Sequence, residues 1–115
     1  MYLGKNVEIL LKGQAKEIYL ELQKNDNKKS KSVLNSIERI KNILKENPQY
    51  GDPIKKDLIP KEFYNFDIHN LYRIELPDFW RMLYTLEGNE DSIFVFVLKI
   101  IDYDEYNKLF GYRKK

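Results

Sequence analysis

The chain has 115 residues, of which 43% are hydrophobic and 14% aromatic, so it can bury one hydrophobic core and we predict a single domain, 1–115. It contains no cysteine and one histidine, which excludes disulfides, thiolate catalysis and mechanisms that need two histidines. The net charge is +2, but residues 1–65 hold 13 Lys/Arg against 9 Asp/Glu, whereas residues 66–115 hold 7 against 9. The basic first half indicates either an anionic partner, such as nucleic acid, or a solvated lysine-rich surface.

The chain shows no apolar run long enough to cross a membrane, and its first residues lack the pattern of a secretory signal. We therefore expect a cytoplasmic protein that does not contact a membrane.

A strand and two helices are predicted before Pro48. Asn6–Leu11 alternates apolar and polar side chains, which predicts a strand near a sheet edge. Two apolar stripes at helical spacing follow, and they predict a helical hairpin in which Ser30 or Ser32 caps the second helix and Pro48 ends it. The stripes are Ala15, Ile18, Tyr19 and Leu22, and then Val33, Ile37, Ile40 and Leu44.

Residues 48–70 are interrupted by prolines and predict irregular structure with a short turn of helix at Pro60–Tyr64. Three strands of an antiparallel meander then follow, at Leu71–Leu76, Phe79–Leu86 and Ile93–Ile101. The chain reverses at Pro77-Asp78 and within the polar segment 87–91, which contains Gly and Asn.

Alternation along the middle strand separates its side chains into two faces. Trp80, Met82, Tyr84 and Leu86 lie on one face, and Phe79, Arg81, Leu83 and Thr85 lie on the other. The third strand is apolar on both faces until Lys99 breaks the pattern, which is typical of a central strand covered by other elements.

Asp102 is a suitable N-cap for a short terminal helix over Asp102–Tyr112. The predicted fold class is therefore α+β, in the order β-α-α-β-β-β, with an antiparallel meander covered by the N-terminal helical hairpin and a short C-terminal helix. We expect the face of the sheet opposite the hairpin to be the functional surface.

Arg73 and Arg81 both lie within predicted strands. A fixed guanidinium there can hold a phosphate with a fork of donors and stabilise charge that develops on its oxygens. The alternative for Arg81 is a structural ion pair with Glu75 or Asp78.

Four aromatic residues of this region could stack on unpaired bases, at ~1–3 kcal/mol per base, or could pack in the core, which is favoured for Trp80 and Tyr84. They are Tyr72, Trp80, Tyr84 and Tyr103. His69 is either an acid–base group or, as its irregular segment favours, a surface residue. Asp102, Asp104 and Glu105 either bind a metal ion or, as their position favours, stabilise the start of a helix.

Four segments carry a family resemblance. The segment 45–54, KENPQYGDPI, follows the second helix. LYRI at 71–74 and WRMLY at 80–84 form a pair of strands that each contain an aromatic-Arg step, and YNKLFGYR at 106–113 ends the chain. Together with the order strand, helical hairpin and meander, these motifs resemble the RelE/ParE toxin superfamily, especially its archaeal RelE-like members.

The resemblance implies the toxin of a type II toxin-antitoxin system. RelE-like members cut mRNA in the ribosomal A site without a metal or other cofactor, by attack of a ribose 2′-hydroxyl on the adjacent phosphate to leave a 2′,3′-cyclic phosphate. Arg81 matches the arginine that contacts the scissile phosphate, and Arg73 matches a basic position on the preceding strand. The implied catalytic residues are Arg81, Arg73 and Tyr103, and the implied substrate-binding residues are Tyr84, Tyr106 and Arg113.

The chain departs from the family pattern at two places. Glu75 stands where many members have a second basic residue, and Asp102-Tyr103-Asp104 stands where many have a basic pair. These acids favour an alternative, in which the chain is a non-catalytic binding protein of the same fold that inhibits gyrase or binds an antitoxin. Both hypotheses imply a cognate antitoxin that lies across the sheet and the helical hairpin, and the first adds mRNA on the ribosome as a partner.

Overall fold

A five-stranded mixed sheet with helices on both faces forms the α+β domain, as the computed structural model shows for residues 1–111. The elements are β1 (Asn6–Leu11), α1 (Gly13–Lys24), α2 (Lys28–Glu46), β2 (Asp52–Pro53), α3 (Lys61–Tyr64), β3 (Tyr72–Glu75), β4 (Arg81–Gly88), β5 (Ser92–Ile101) and α4 (Tyr103–Phe110). No helix within residues 1–111 is long and apolar enough to cross a membrane.

The strands lie in the order β1-β5-β4-β3-β2. The meander of β3, β4 and β5 is antiparallel as predicted, and β1 is an edge strand as predicted. β1 runs parallel to β5, with Val7 opposite Ile93, which makes the sheet mixed. The two-residue strand β2 at the other edge, paired antiparallel with β3, was not predicted because it is too short to show alternation.

The helical hairpin of α1 and α2 covers one face of the sheet, which we call the helical face. The predicted stripes are confirmed, since their residues form one core with the sheet. The fully enclosed members include Ala15, Ile37 and Leu44 from the helices and Met82, Tyr84, Val95, Val97 and Ile100 from the strands.

The cap of α2 differs from the prediction. The side chain of Asn27 accepts a hydrogen bond from the backbone N–H of Ser30 at 2.8 Å, so Asn27 is the N-cap and the prediction of Ser30 or Ser32 is wrong. The first turn of α2 is polar throughout, including its buried Ser30, so apolar periodicity does not show where the helix begins. Asparagine is among the strongest N-cap residues because its side-chain oxygen reaches a free backbone N–H.

A second core covers part of the opposite face, which we call the arginine face because it carries Arg73 and Arg81. α3 and α4 pack there, so they cover part of the face that we expected to be the functional surface. The buried members are Ile59, Phe63, Leu71, Leu83, Ile101 and Tyr106. The short helix near Pro60 and the helix after Asp102 are both confirmed.

The termini of α4 follow the prediction closely. Asp102 accepts a hydrogen bond from the backbone N–H of Glu105 at 2.9 Å, which makes it the N-cap. Gly111 ends the helix at φ +73, a left-handed conformation that glycine adopts without a steric cost.

A β-bulge changes the faces of β5 after Val97. Leu83 is opposite Lys99 and Tyr84 is opposite Val97, so Leu98 is an extra residue. Simple alternation would put Lys99 on the helical face, after Val95 and Val97. Because of the bulge, Ile100 takes that position instead. The ammonium of Lys99 instead lies 3.6 Å from the carboxylate of Glu62 in α3, which explains how a charge is accommodated in this apolar strand.

The turn between β3 and β4 is longer than predicted. Asp78 and Phe79 have φ of +57 and +62, and the backbone N–H of Leu76 donates to the carbonyl of Trp80 at 2.8 Å. β4 consequently begins at Arg81, and the prediction that Phe79 and Trp80 belong to the strand is wrong. The turn between β4 and β5 matches the prediction, with the Asn89 side chain accepting from the backbone N–H of Ser92 at 2.8 Å.

Candidate functional site

Two arginines and a tyrosine come together on the arginine face. Arg73 in β3 is opposite Leu83 of β4. Arg81 is two residues before Leu83 in the same strand, so both arginines lie beside this buried leucine. Their guanidinium carbons are 6.0 Å and 5.8 Å from the ring centre of Tyr106 in α4. Because the face of an aromatic ring is electronegative, one ring contacts both cations and holds them near each other. Tyr106 is only 5% exposed, so it supports the arginines from beneath, and we do not retain it as a substrate-binding residue.

Arg81 is held on several sides. Its side chain is 12% exposed, its Nη1 donates to the carbonyl of Trp80 at 3.2 Å, and its Nη2 is 3.8 Å from the carboxylate of Glu75. The ion pair with Glu75 that the sequence suggested is therefore present, whereas none forms with Asp78. The buried Nε of Arg81 has no hydrogen-bond partner among residues 1–111, so the guanidinium keeps an unused donor.

Arg73 is more exposed than Arg81, with 34% of its side chain accessible. Its Nη1 donates to the hydroxyl of Tyr106 at 3.3 Å, and its Nη2 is 3.6 Å from the carboxylate of Asp52 in β2. The hydrogen bond to Tyr106 is the main cause that raises the pKa of Arg73 above its usual value, and the charge of Asp52 adds to it. Arg73 is consequently charged at every physiological pH. Its Nε is also buried without a partner in the described part of the chain.

An open cleft of about 600 Å³ lies beside Arg81, and we call it the Arg81 cleft. Tyr103 is 42% exposed and Phe79 is 72% exposed, and their rings meet edge to face with centres 6.4 Å apart. The guanidinium carbon of Arg81 is 5.9 Å from the centre of the Tyr103 ring. The lining residues are Asp78, Phe79, Arg81, Asp102, Tyr103 and Asp104. The cleft thus combines one cation, two aromatic rings and three carboxylates.

Phe79 is the residue that sequence reasoning missed. Alternation placed it inside a strand, where its ring would pack against a neighbour. The Pro77-Asp78 pair directly before it was the signal that could have extended the turn and exposed the ring.

Tyr84 lies away from this site, on the helical face. It is 0% exposed, and its hydroxyl donates to the carbonyl of Pro48 at 2.8 Å and accepts from the N–H of Gly51 at 2.9 Å. Its ring stacks on Tyr72 with centres 5.1 Å apart, and burial raises the pKa of the Tyr84 phenol above its usual value. A substrate in solvent cannot reach this ring, so we do not retain Tyr84 as a substrate-binding residue.

Four remaining predicted residues are placed as follows. Tyr103 lines the Arg81 cleft, whereas Arg113 lies outside the described residues. His69 is exposed and forms a contact of 2.7 Å with Asp67, as expected for a surface residue. Asp102 acts as the helix cap, and no group of three or more His, Asp or Glu side chains within residues 1–111 could hold a metal ion.

Comparisons with known protein families, with curated proteins and with solved structures find no match to this chain.

Proposed function

We propose that this protein is a RelE-like toxin of a type II toxin-antitoxin system and that it cleaves mRNA on the ribosome. The observation that carries the proposal is the pair of guanidinium groups, Arg73 and Arg81, held against the ring of Tyr106 next to an open aromatic cleft. The order of strand, helical hairpin, meander and short terminal helix supports it, because the resemblance implies that arrangement. The proposed partners are mRNA on the ribosome and a cognate antitoxin.

In the proposed reaction a ribose 2′-hydroxyl attacks the adjacent phosphorus. The new P–O2′ bond forms, the P–O5′ bond breaks, and the products carry a 2′,3′-cyclic phosphate and a 5′-hydroxyl. The 2′-oxygen loses a proton and the 5′-oxygen gains one, so the reaction needs no cofactor or oxidant.

The two arginines have different tasks in this reaction. Arg81 is mostly buried and is held by the Trp80 carbonyl and by Glu75, so its guanidinium can stabilise the negative charge that builds up on the phosphate oxygens without first being ordered. Arg73 is 34% exposed and holds the neighbouring part of the message in place. Tyr103, half-exposed at the cleft and in contact with Arg81, is the group placed for proton transfer or stacking.

Primer extension on mRNA translated in vitro tests the proposal. We expect cuts within ribosome-occupied codons, and we expect Arg81→Ala to lower the cleavage rate about 10²–10³-fold, as loss of one oxyanion donor typically does. Arg39→Ala is the matched control, because Arg39 is an exposed arginine on α2. Absence of cuts from the folded wild-type protein would contradict the nuclease, and equal cleavage by Arg81→Ala would contradict the role of Arg81.

A second candidate is a non-catalytic binding protein of the same fold, and the acidic surroundings of the arginines favour it. Arg81 faces Glu75, Arg73 faces Asp52, and three further carboxylates line the Arg81 cleft. These acids weaken the attraction of the site for phosphate. Inhibition of gyrase supercoiling without RNA cleavage, or tight binding of a neighbouring small acidic protein without either activity, would select this candidate.

A further inference from the structure

The turn between β3 and β4 holds a phenylalanine in an unusual state. Phe79 has φ of +62, directly after Asp78 at +57, and its side chain is 72% exposed. A bulky residue in the left-handed region costs ~1–3 kcal/mol, and an exposed ring returns little of this through burial. Burial of the Phe79 ring therefore does not offset the cost of its backbone conformation.

The surroundings of Phe79 supply a corner of two rings. Tyr103 meets Phe79 edge to face with centres 6.4 Å apart, and both rings line the Arg81 cleft. Edge-to-face packing leaves a ring face open to solvent rather than closing a slot. A flat group that enters the cleft can stack on this open face close to Arg81, whose guanidinium carbon is 5.9 Å from the centre of the Tyr103 ring.

The charges of the cleft select which flat group fits. Asp78, Asp102 and Asp104 line it against the single cation of Arg81, so a phosphate is repelled except close to Arg81. A nucleobase carries no net charge and is not repelled. Adenine, cytosine and guanine also present exocyclic amino hydrogens, which carboxylates accept, whereas uracil offers only its single ring N3–H as a donor.

Asp78 is the carboxylate to which we assign such a hydrogen, and it adjoins Phe79 in the chain. Asp102 already accepts from the N–H of Glu105 as the cap of α4. Asp78 directly precedes Phe79 and forms no hydrogen bond or ion pair with the other residues that the structure describes.

We propose that the Arg81 cleft is a subsite for one unpaired, amino-bearing RNA base, which stacks on Phe79 and Tyr103 and donates to Asp78. The base lies next to the phosphate that Arg81 holds, so Phe79 is a substrate-contacting residue that sets affinity rather than reaction rate. This inference rests on the RNA-binding part of the proposed function.

Fluorescence anisotropy with labelled hexa-adenylate and hexa-uridylate at low salt tests the subsite. We expect Phe79→Ala to weaken hexa-adenylate binding about 5- to 150-fold, the range that one base–aromatic stack contributes. Phe79→Trp should bind within about twofold of wild type, because it keeps a stacking surface. Phe66→Ala is the matched control, because Phe66 is 79% exposed and does not line the cleft.

Asp78→Ala tests the amino-bearing part separately. The variant removes a negative charge and should tighten both RNAs, so the readout is the ratio of their affinities. We expect wild type to prefer hexa-adenylate and Asp78→Ala to reduce that preference. An unchanged ratio would overturn the role of Asp78, and equal binding by wild type and Phe79→Ala would overturn the subsite.

The remaining outcomes separate this inference from the nuclease. If wild type and Phe79→Ala cut ribosome-bound mRNA with the same half-saturating concentration while Arg81→Ala does not cut, the nuclease stands and the subsite falls. If wild type does not cut mRNA, but Phe79→Ala binds hexa-adenylate more weakly than wild type does, the subsite stands and the nuclease falls. If wild type binds neither RNA and does not cut mRNA, both the subsite and the nuclease are overturned. A lysine-rich peptide whose binding depends on Phe79, with RNA affinity unchanged, would assign the cleft to a basic protein segment and overturn the inference.

Discussion

The hydroxyl of Tyr84 ties the loop after α2 to the sheet, so we expect Tyr84→Phe to lower the free energy of unfolding by about 2–4 kcal/mol. The hydroxyl donates to Pro48 and accepts from Gly51 at 2.8 and 2.9 Å, and the ring is 0% exposed. Its removal leaves one acceptor and one donor buried without a partner, each at ~1–3 kcal/mol, and relaxation of the surface loop keeps the sum near the lower end. The unfolding entropy is ~2.1 cal/mol/K per residue. Dividing the loss of free energy by this entropy, summed over the chain, predicts that the midpoint of thermal unfolding falls by about 8–16 °C.

Thermal unfolding followed by circular dichroism at neutral pH measures this shift. Tyr50→Phe is the matched control, because Tyr50 lies in the same loop, is 46% exposed, and its hydroxyl has no hydrogen-bond partner among residues 1–111. A Tyr84→Phe midpoint within about 2 °C of wild type would refute the structural role of the hydroxyl. The loop continues into Asp52, which pairs with Arg73, so the same variant should also loosen that edge of the site.

Two further predictions concern the charges of the molecule. Glu75→Gln removes the carboxylate 3.8 Å from Arg81, and because Glu75 is 65% exposed we expect only about 2- to 5-fold tighter hexa-adenylate binding by anisotropy. Unchanged affinity would show that Glu75 does not compete for Arg81. The raised pKa of Tyr84 means that the folded state keeps a proton that the unfolded chain releases near pH 10.0, so the free energy of unfolding should fall as the pH rises above that value. Urea unfolding should give a shallower loss for Tyr84→Phe, and equal losses in both proteins would contradict this assignment.

Periodicity predicted those elements whose burial repeats along the chain. The stripe from Val33 to Leu44 showed that α2 exists and which side it buries, and the alternation from Met82 to Leu86 showed the two faces of β4. Periodicity failed where a short-range event interrupts it, as at the cap Asn27 and the bulge at Leu98.

The sequence by itself determined the class of the fold, the faces of the main elements and the two arginines as candidate residues, because local burial leaves a repeating pattern in the residue types. Only the tertiary structure decided the site. The hydrogen bond between Arg73 and Tyr106 spans 33 positions, and the contact of Arg81 with that same ring depends on how α4 packs on the sheet. The left-handed turn that exposes Phe79 and the burial that removes Tyr84 from solvent were also decided there. Such contacts depend on the packing of distant elements, which no local repeat reports.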